Sequence, residues 1–560
     1  MEKLVELVRQ FETGEIVLPI MQREYVWKPK KVEALLDSLY RKYPIGSFYL
    51  WRPSRKQPVR LGRQKLLAGE PVRYLLDGQQ RLASLARAVT SEAQDTPLPP
   101  PGGGQRDAIS WRAFFDVKTE VFVVKGRSAR ARKRLAAHDP SLVALSDLVS
   151  LRGFDVARVT GVTEEAVRRM VADGHITDNE AEKNTVRTRL ARVARILDVD
   201  VLFQSIETGA PGSEGEDEVD QAITIFERLN RGGLTLSAAD VAAARLSHEA
   251  TEGILGPMRD FAREPACVAL GINFGFLTRT LVTFRRGSAK VADLPRHWAA
   301  GPPPIEEDWN VVRRSLTAAI GVAQGAGWSA RAWLPSINAL IPVAYYAKLK
   351  GGSIPVADRA ELVKYLCKAA WSGAFGGSAE TAIDRYVHHL QKAGANCEAS
   401  VLGAWVPKKH TPRITADDLL EETSKAGPLM QTYLAYLVSK QARSWPSGQA
   451  IGEASRLGDG RRAIEVHPIF PRQVFERLGL GLDANAMANY AILTDADNRQ
   501  LADEAPRAAY ERLSPDQKRW PRQQFIPVQE PEILEPSAYD AFTRRRAREM
   551  AEALNAFLGL

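Results

Sequence analysis

The sequence predicts an α+β fold built from several domains, on three observations. A chain of 560 residues can hold three or four domains of roughly 150 residues each. Its first part alternates short apolar runs, typical of strands, with apolar residues at helical spacing. From about residue 246 to 400 nearly every segment has helical spacing, and the last part mixes both patterns before a long final helix. We therefore predict domains at 1–245, 246–425 and 426–560, with an insertion near 100–195.

Side-chain spacing predicts each element at the start of the chain. In KKVEALLDSLYRKYP a helix places its apolar side chains on one face and ends before Pro44; the face residues are Val32, Leu35, Leu36, Leu39 and Tyr43. SFYLW and PVRYLLDG are typical of buried strands, and QQRLASLARAV of a helix. WRAFFDVKTEVFVV predicts a strand pair, followed by helical sequence to about residue 198 and the strand VDVLFQSI.

Two breaks in composition divide the rest of this region. QDTPLPPPGGGQ is rich in Pro and Gly, and ETGAPGSEGEDEVDQ is acidic and rich in Gly. The second break leads into AITIFERLNRGG, a predicted helix with a glycine cap, after which Ser237 can cap the next helix. No internal repeat is found in the sequence.

Composition excludes several classes of protein. No apolar run reaches the roughly 18 residues of a membrane span, and the start MEKLVELVRQFETGE is too charged for a signal peptide. Three widely spaced cysteines exclude a disulfide scaffold and favour a reducing cytoplasm. A net charge of +9, from 76 Lys and Arg against 67 Asp and Glu, is compatible with a polyanionic partner.

The most informative segment near the N-terminus is YLLDGQQRLASL, residues 74–85. A buried strand runs through an Asp-Gly turn into a helix, whose N-terminus favours anions. Asp77 can cap the helix, Gly78 allows a tight turn, and Arg81 can donate two hydrogen bonds to a phosphate. Gln79 and Gln80 could add further polar contacts. The alternative is an ordinary strand-to-helix turn with solvated Gln and Arg side chains.

Three more blocks occur with this segment in a fixed order. The first is LPIMQREYVW, with Pro19, Gln22, Arg23, Tyr25 and Trp27; the second is PIGS at 44–47; and the last has Phe226, Asn230, Gly233 and Leu236. Together the four blocks resemble the GmrSD-type restriction family, whose N-terminal domain has a ParB/sulfiredoxin-like fold. The helical segment WSGAFGGSAETAIDR also resembles the middle region of this family.

The resemblance implies a role in bacterial defence against foreign DNA. It implies a nucleoside triphosphate, GTP or another, bound by Gly78, Gln79, Gln80 and Arg81, with Asp77 and Arg81 linked to hydrolysis. In similar proteins of the SspE type, which sense phosphorothioate-modified DNA, the first block is implicated in sensing. Gln22, Arg23 and Tyr25 could therefore line a nucleotide or DNA-modification pocket. Tyr25 could equally be a core aromatic residue.

A second resemblance begins at IEVHPIFPRQ, residues 464–473. A His beside a strand, followed by I-F-P, resembles the start of the ββα site of metal-dependent HNH nucleases. His467 and Asn498 then fall where two ligands of Mg²⁺ or another divalent metal are expected, and Asn489 falls where a side chain braces the loop. Pro468 stands where the family usually has a second His, the general base, and proline cannot accept a proton. We therefore predict a degenerate HNH-like domain at the C-terminus.

Three explanations of Pro468 remain open. The nuclease could be inactive, with the domain retained for structure or DNA binding. Glu465, on the same strand face as His467, could contribute instead. Alternatively, His467 could itself be the catalytic base.

Two basic runs are candidates for DNA binding. The first contains Arg130, Arg132, Lys133 and Arg134, and the second, on the final helix, contains Arg545 and Arg548. The alternative for each run is a solvated surface.

The leading interpretation is a cytoplasmic defence protein that binds a nucleoside triphosphate and DNA, which could be modified, and whose cleavage, if any, is metal-dependent. The rival interpretation is a non-catalytic DNA-binding or regulatory subunit that positions a partner nuclease. In a third, the N-terminal fold itself cuts DNA. A homo-oligomer or a partner defence subunit, and no membrane, complete the expected partners.

Overall fold

The fold is that of a computed structural model, and it combines helices with several small sheets. The structure describes residues 2–18, 25, 27–53, 73–89, 112–124, 138–208, 252–291, 303–406, 413–456, 464–482 and 484–560, together with single positions between 218 and 246. The chain divides into two compact units, Met1–Thr251 and Glu252–Leu560. The predicted α+β class is confirmed. The predicted helical domain 246–425 and the C-terminal domain 426–560 fall almost wholly within the second unit.

The first unit is built on a four-stranded main sheet, with two smaller sheets beside it in the chain. The described strands of the whole unit, in chain order, are β1 (Glu2–Lys3), β2 (Ile16–Val17), β3 (Phe48–Arg52), β4 (Arg73–Asp77), β5 (Ala113–Asp116), β6 (Val121–Val124), β7 (Leu142–Ala144), β8 (Asp200–Val201) and β9 (Phe203–Glu207). The main sheet has the order β2-β4-β3-β9, in which β3 and β4 are antiparallel while the outer strands run parallel to their neighbours. A second, antiparallel sheet has the order β6-β5-β7, and β1 pairs with β8.

Six helices accompany these strands in the described part of the unit. They are α1 (Leu4–Thr13), α2 (Pro29–Tyr40), α3 (Gln79–Val89), α4 (Leu145–Leu148), α5 (Val156–Ala172) and α6 (Glu180–Ala194). Side chains alternate across the main sheet, as strand geometry requires. Phe48, Leu50 and Leu75 join the large core, whereas Trp51 and Tyr74 belong to a smaller core on the other face.

Two predictions for this region are wrong. The predicted single strand VDVLFQSI divides into β8 and β9, which belong to different sheets, and the position of one side chain also differs. The predicted helices at 32–39 and 79–89 and the strands at 47–51 and 73–77 are confirmed. Tyr43 was wrongly placed on the buried face of α2. The helix ends at Tyr40, Lys42 adopts a positive φ of 60°, and the Tyr43 side chain is 59% exposed. The predicted helix in AITIFERLNRGG and the cap at Ser237 lie outside the continuously described ranges.

The second unit is mainly helical and contains one two-stranded sheet. Its helices are α7 (Glu252–Arg263), α8 (Pro265–Leu270), α9 (Phe274–Arg286), α10 (Ile305–Gly325), α11 (Leu340–Leu349), α12 (Arg359–Trp371), α13 (Ala379–Ala393), α14 (Ala399–Ala404), α15 (Ala416–Glu421), α16 (Pro428–Ser439), α17 (Ile451–Arg456), α18 (Arg472–Arg477), α19 (Asp495–Leu501), α20 (Pro506–Glu511), α21 (Arg519–Arg522) and α22 (Tyr539–Leu558). Strands β10 (Ile464–Pro468) and β11 (Tyr490–Thr494) form an antiparallel pair. Among the described helices, none combines the length and apolar character needed to cross a membrane.

A buried arginine connects the final helix to this sheet. Arg546 of α22 is fully buried and donates hydrogen bonds to the carbonyl oxygens of Ala488, Tyr490 and Gln524 and to the Tyr433 hydroxyl. Burial lowers the pKa of Arg546, yet arginine remains charged in proteins. A buried charge is tolerated only when it is well hydrogen-bonded, and these four acceptors meet that need.

Carboxamide side chains satisfy backbone groups in the same unit. Gln524 accepts from the Ile492 N–H at 2.9 Å and donates to the Ile492 carbonyl at 2.8 Å. Asn555 makes the equivalent pair with Ile414, at 2.9 and 2.7 Å. Each amide thus takes the place of a neighbouring strand for one residue.

In the first unit, two glycines permit a close approach between the turn at 77–81 and the segment 45–48. Gly78 has a φ of +100°, and a Cβ added there would lie 2.4 Å from Cδ1 of Phe48. Gly46 has a φ of +85°, and its added Cβ would lie 2.5 Å from Nη1 of Arg81. Neither position can take a side chain without displacing its neighbour.

We expect Gly78→Ala to destabilise the protein more than Gly153→Ala. Both glycines have positive φ, which costs an L-residue about 1–2 kcal/mol, but no atom lies within 4 Å of an added Cβ at Gly153. The contact with Phe48 should add about 1–3 kcal/mol for overpacking. Urea unfolding of the full chain measures both losses, and equal losses would show that the Phe48 contact is relieved at no cost.

Candidate functional site

The first candidate site is the turn between β4 and α3, where Asp77, Gly78 and Arg81 were predicted to act. Arg81 donates to the Ile45 carbonyl at 2.5 Å, to the Ser47 carbonyl at 2.8 Å and to Asp77 Oδ2 at 2.9 Å. Its guanidinium also lies 4.8 Å from the centre of the Phe48 ring. Burial lowers the pKa of Arg81, opposed by the charge of Asp77. Arg81 therefore fixes the PIGS segment against the turn.

The two glutamines of this motif point inward. Gln79 and Gln80 are both buried, and Gln80 Oε1 accepts a hydrogen bond from the Trp27 backbone N–H at 3.2 Å. The Asp77 side chain is 37% exposed, against 15% for Arg81. Asp77 is thus the most accessible charged group that the structure describes at this turn.

Tyr25 from the first sequence block reaches the same helix. It is a core residue, its hydroxyl lies 2.7 Å from Ser84 Oγ, and the Arg87 guanidinium lies 4.4 Å from its ring centre. Burial raises the pKa of Tyr25. Gln22 and Arg23, the other two predicted sensing residues, lie outside the described residues. The structure therefore brings Tyr25 to α3 in a packed position.

The second candidate site is formed by β10, β11 and α19, a ββα arrangement in which α18 lies between the two strands in the chain. Thr494 caps α19 by accepting from the Asp497 N–H at 3.2 Å. Nδ1 of His467, on β10, lies 2.9 Å from Oδ1 of Asn498, on α19. The two predicted metal ligands, 31 residues apart in sequence, therefore meet in the fold.

Asn489 braces the segment between the two strands. Its Oδ1 accepts from the Phe470 N–H at 2.9 Å, while Nδ2 donates to the carbonyls of Phe470 at 3.0 Å and Ala484 at 2.8 Å. The side chain is fully buried.

The immediate neighbourhood of His467 determines its protonation. Burial lowers the pKa of His467, the hydrogen bond to Asn498 opposes this shift, and smaller effects come from Lys425, which lowers the pKa, and Asp503, which raises it. The imidazole is therefore neutral at neutral pH. A neutral imidazole can serve as a metal ligand or as a base.

The residue in the position of the usual base is Pro468, which pairs with Tyr490 of β11. The Lys425 Nζ atom lies 5.0 Å from the centre of the Tyr490 ring. Glu465, the alternative contributor, is half-buried in the same strand. A cation thus approaches the residue opposite Pro468.

Sequence reasoning missed two residues around this site. Lys425 comes from the segment between α15 and α16, and no spacing pattern connects it to His467. Asp497, next to Asn498, is buried and accepts from Ser444 Oγ, from the Ser447 N–H at 3.2 Å and from Ser447 Oγ at 2.7 Å. Its place beside the predicted ligand Asn498 was a usable signal, because a buried carboxylate there can hold the helix start in position.

The predicted basic surfaces are only partly described. Residues 125–134, with Arg130, Arg132, Lys133 and Arg134, lie outside the described residues. On α22, Arg545 forms ion pairs with Glu530 at 2.8 Å and Glu549 at 3.1 Å, whereas Arg548 is exposed. Ion pairing of Arg545 reduces the positive charge that this face can offer to DNA.

A hydrogen bond joins the two predicted metal ligands in the second site. The 2.9 Å contact between His467 Nδ1 and Asn498 Oδ1 needs the proton on Nδ1, because an amide oxygen only accepts, so Nδ1 could hold a metal only after this hydrogen bond is broken. In the described part of the chain, no group of three or more His, Cys, Asp or Glu side chains is placed to hold a metal. A metal here would therefore take most of its ligands from water and substrate.

The comparison with known protein families concerns the first unit. Residues 3–247 match the family described as GmrSD restriction endonuclease, N-terminal domain. The predicted resemblance of this segment is therefore confirmed, and the segment includes the turn at 77–81. The match ends before the second unit begins.

A relative from an archaeon is also similar. An uncharacterized protein of Methanocaldococcus jannaschii is 25% identical over 262 residues, which cover 44% of this chain and 41% of that protein. The chain thus spans less than half the length of this relative, and the name of the relative states no activity.

We expect the stability that depends on His467 to decrease as the pH falls below about 6.5. Because the pKa of His467 is lowered in the folded state, the unfolded chain binds more protons between the two pKa values. The contribution of neutral His467 to the free energy of unfolding is therefore fully present above the pKa that this histidine has in the unfolded chain. It is lost as the pH falls through the lower pKa of His467 in the folded protein. Urea unfolding at pH 7.5 and 5.5 should show a larger loss for the natural protein than for His467→Gln. Equal losses would contradict the pKa assignment.

Proposed function

We propose that the protein is a restriction-type defence protein that binds DNA at a metal-dependent HNH-like site in its second unit. The observation that carries this proposal is the 2.9 Å approach of His467 Nδ1 to Asn498 Oδ1 within a ββα arrangement. The similarity of residues 3–247 to a restriction endonuclease domain supports it independently.

In this proposal His467 and Asn498 hold one divalent ion, Mg²⁺ or another. A bound ion would stabilise negative charge on a phosphate and make a water molecule more acidic. His467 remains neutral to a lower pH than an ordinary histidine, because burial lowers its pKa. Asn489 and Asp497 position the two strands and the start of α19 through their buried hydrogen bonds.

Pro468 favours weak cleavage over efficient cleavage. A proline ring cannot remove a proton from water, and the ammonium group of Lys425 approaches its partner Tyr490. An ammonium group attracts a phosphate but does not replace a general base. The second candidate function is therefore a DNA-binding or regulatory subunit that positions a partner nuclease, and Pro468 is the observation that favours it.

We further propose that a nucleoside triphosphate, GTP or another, binds at the turn 77–81. The N-terminus of α3 carries the partial positive charge that favours phosphate, and Asp77, partly exposed beside it, would approach the phosphates through a divalent ion. Arg81, which donates to Ile45 and Ser47, would act by holding the turn in shape rather than by reaching out to the phosphates. Gln79 and Gln80 would act through the same buried framework.

One experiment tests both parts. The purified protein is incubated with modified or unmodified plasmid, with Mg²⁺ or Mn²⁺ and with each nucleoside triphosphate, while nicking and phosphate release are measured. Nicking that requires metal supports the nuclease, and phosphate release supports the nucleotide site. Binding of plasmid without either reaction supports the regulatory alternative.

We expect Pro468→His to increase metal-dependent nicking by about 10²–10⁴-fold, the usual contribution of a general base. Pro468→Ala is the matched control, because it removes the proline ring without adding a base. His467→Ala and Asn498→Ala should abolish nicking, whereas His389→Ala, a histidine stacked on Trp405, should not.

The outcomes for His467 separate the alternatives. If His467→Ala abolishes nicking while Pro468→His adds nothing, His467 is itself the base or an essential ligand. If the natural protein nicks DNA efficiently and His467→Ala has no effect, the chemistry lies elsewhere and the HNH assignment is wrong. Thermal melting of each variant excludes unfolding as the cause.

For the nucleotide site we expect Asp77→Asn and Arg81→Ala to weaken triphosphate binding and hydrolysis. Removing Arg81 releases the segment around Gly46, and removing the Asp77 charge breaks the ion pair that orients Arg81. The matched control is Asp37→Asn with Arg41→Ala, an exposed Asp–Arg pair of the same i,i+4 spacing at the C-terminal end of α2. Unchanged nucleotide affinity and unchanged hydrolysis in both site variants would show that the turn at 77–81 does not bind the nucleotide.

A further inference from the structure

A cleft in the second unit is lined by basic and neutral side chains. It has a volume of about 600 Å³ and lies between α10, the turn at 351–354 and the start of α12. Its charged lining residues are Arg313 and Arg314 from α10 and Arg359 from α12. None of the described residues that line it is acidic. We call it the arginine cleft.

Helical spacing directs one side of α10 into this cleft. Arg313 and Arg314 lie three and four residues after Asn310, and Thr317 lies four and three residues after them, which places all of them on one side of the helix. Gly352 has a φ of +94°, and a Cβ added there would meet Cβ and Nε of Arg314 at 3.5 Å. The turn therefore packs against the stem of Arg314.

The guanidinium groups of the cleft are available for a ligand. Arg314 and Arg359 are exposed, and neither makes a hydrogen bond or ion pair within the described part of the chain. Arg313 lies 3.6 Å from Glu264, but both side chains are about half exposed, so this pair contributes little. The carboxylate next to Arg359, that of Asp358, accepts a hydrogen bond from the Tyr346 hydroxyl at 2.7 Å.

We propose that the arginine cleft binds the sugar–phosphate backbone of duplex DNA. Guanidinium groups donate paired hydrogen bonds to phosphate oxygens, and the hydroxyl of Ser353 and the amide of Asn310 can add neutral donors. Among the described lining residues there is no aromatic ring on which a base could stack. These features suit a phosphate backbone better than a nucleoside.

This inference rests on the proposed function, because it takes DNA as the ligand of the second unit, but it assigns contact to residues that neither candidate site contains. The test compares Arg314→Gln/Arg359→Gln with Arg286→Gln/Lys392→Gln in the full chain. The control pair is exposed, lies in the same unit and removes the same charge without lining the cleft.

Binding of a fluorescent 30-base-pair duplex is measured over a series of salt concentrations, with roughly 0.9 units of slope in log K against log salt expected per phosphate contact. The cleft variant should bind more weakly than the natural protein, with a slope flatter by about 1.8 if each arginine contacts one phosphate. The control variant should keep the natural slope, and both variants should keep the natural melting temperature.

Each other result overturns the inference in a different way. If the natural protein binds the duplex and both variants match it in slope, the cleft does not contact DNA and the proposed function stands. If the natural protein does not bind the duplex, the proposed function fails and the cleft loses its ligand. If the cleft variant loses binding of ATP but not of the duplex, the cleft is a nucleotide site instead.

Discussion

The buried guanidinium of Arg546 is the interaction on which the second candidate site depends. It holds the carbonyl oxygens of Ala488 and Tyr490, which flank Asn489, and Asn489 in turn holds Phe470 just beyond β10. The strand that carries His467 and the strand that leads to Asn498 are thus fixed by one chain of buried hydrogen bonds. Removing one partner of a buried charge is costly, so a conformation in which these segments leave Arg546 is disfavoured.

The first unit uses arginine in a similar way. Arg81 holds the carbonyl oxygens of Ile45 and Ser47 on either side of Gly46, as Arg546 holds those on either side of Asn489. In both places a guanidinium, with several donors in a fixed plane, binds the two carbonyls on either side of a single residue. Sequence motifs that look like ligand-binding arginines can therefore be the groups that shape a site.

The sequence predicted local structure well where spacing alone decides it. The strand, turn and helix at 73–89 and the final helix follow from periodicity and from one glycine. The prediction that Tyr43 lies on the buried face of α2 was wrong, because the helix ends before the backbone turn at Lys42. The spacing of apolar residues does not reveal that turn. Arg546 could not be recognised within the run Arg544–Arg545–Arg546, because three adjacent arginines look alike until tertiary packing buries one of them. Lys425 reaches His467 only through the fold.

The carboxamide pairs of the second unit have a chemical consequence. Asn489, Gln524 and Asn555 each accept from a backbone N–H and donate to a backbone carbonyl of one residue, Phe470, Ile492 and Ile414 respectively. Deamidation would replace the donating NH₂ with an oxygen that faces a carbonyl oxygen, at almost unchanged volume. Deamidation would therefore add a buried negative charge, and the hydrogen bond to the backbone carbonyl would become a repulsion between two oxygens. At Asn489 this single change of atom would disturb the support of the strand that carries His467.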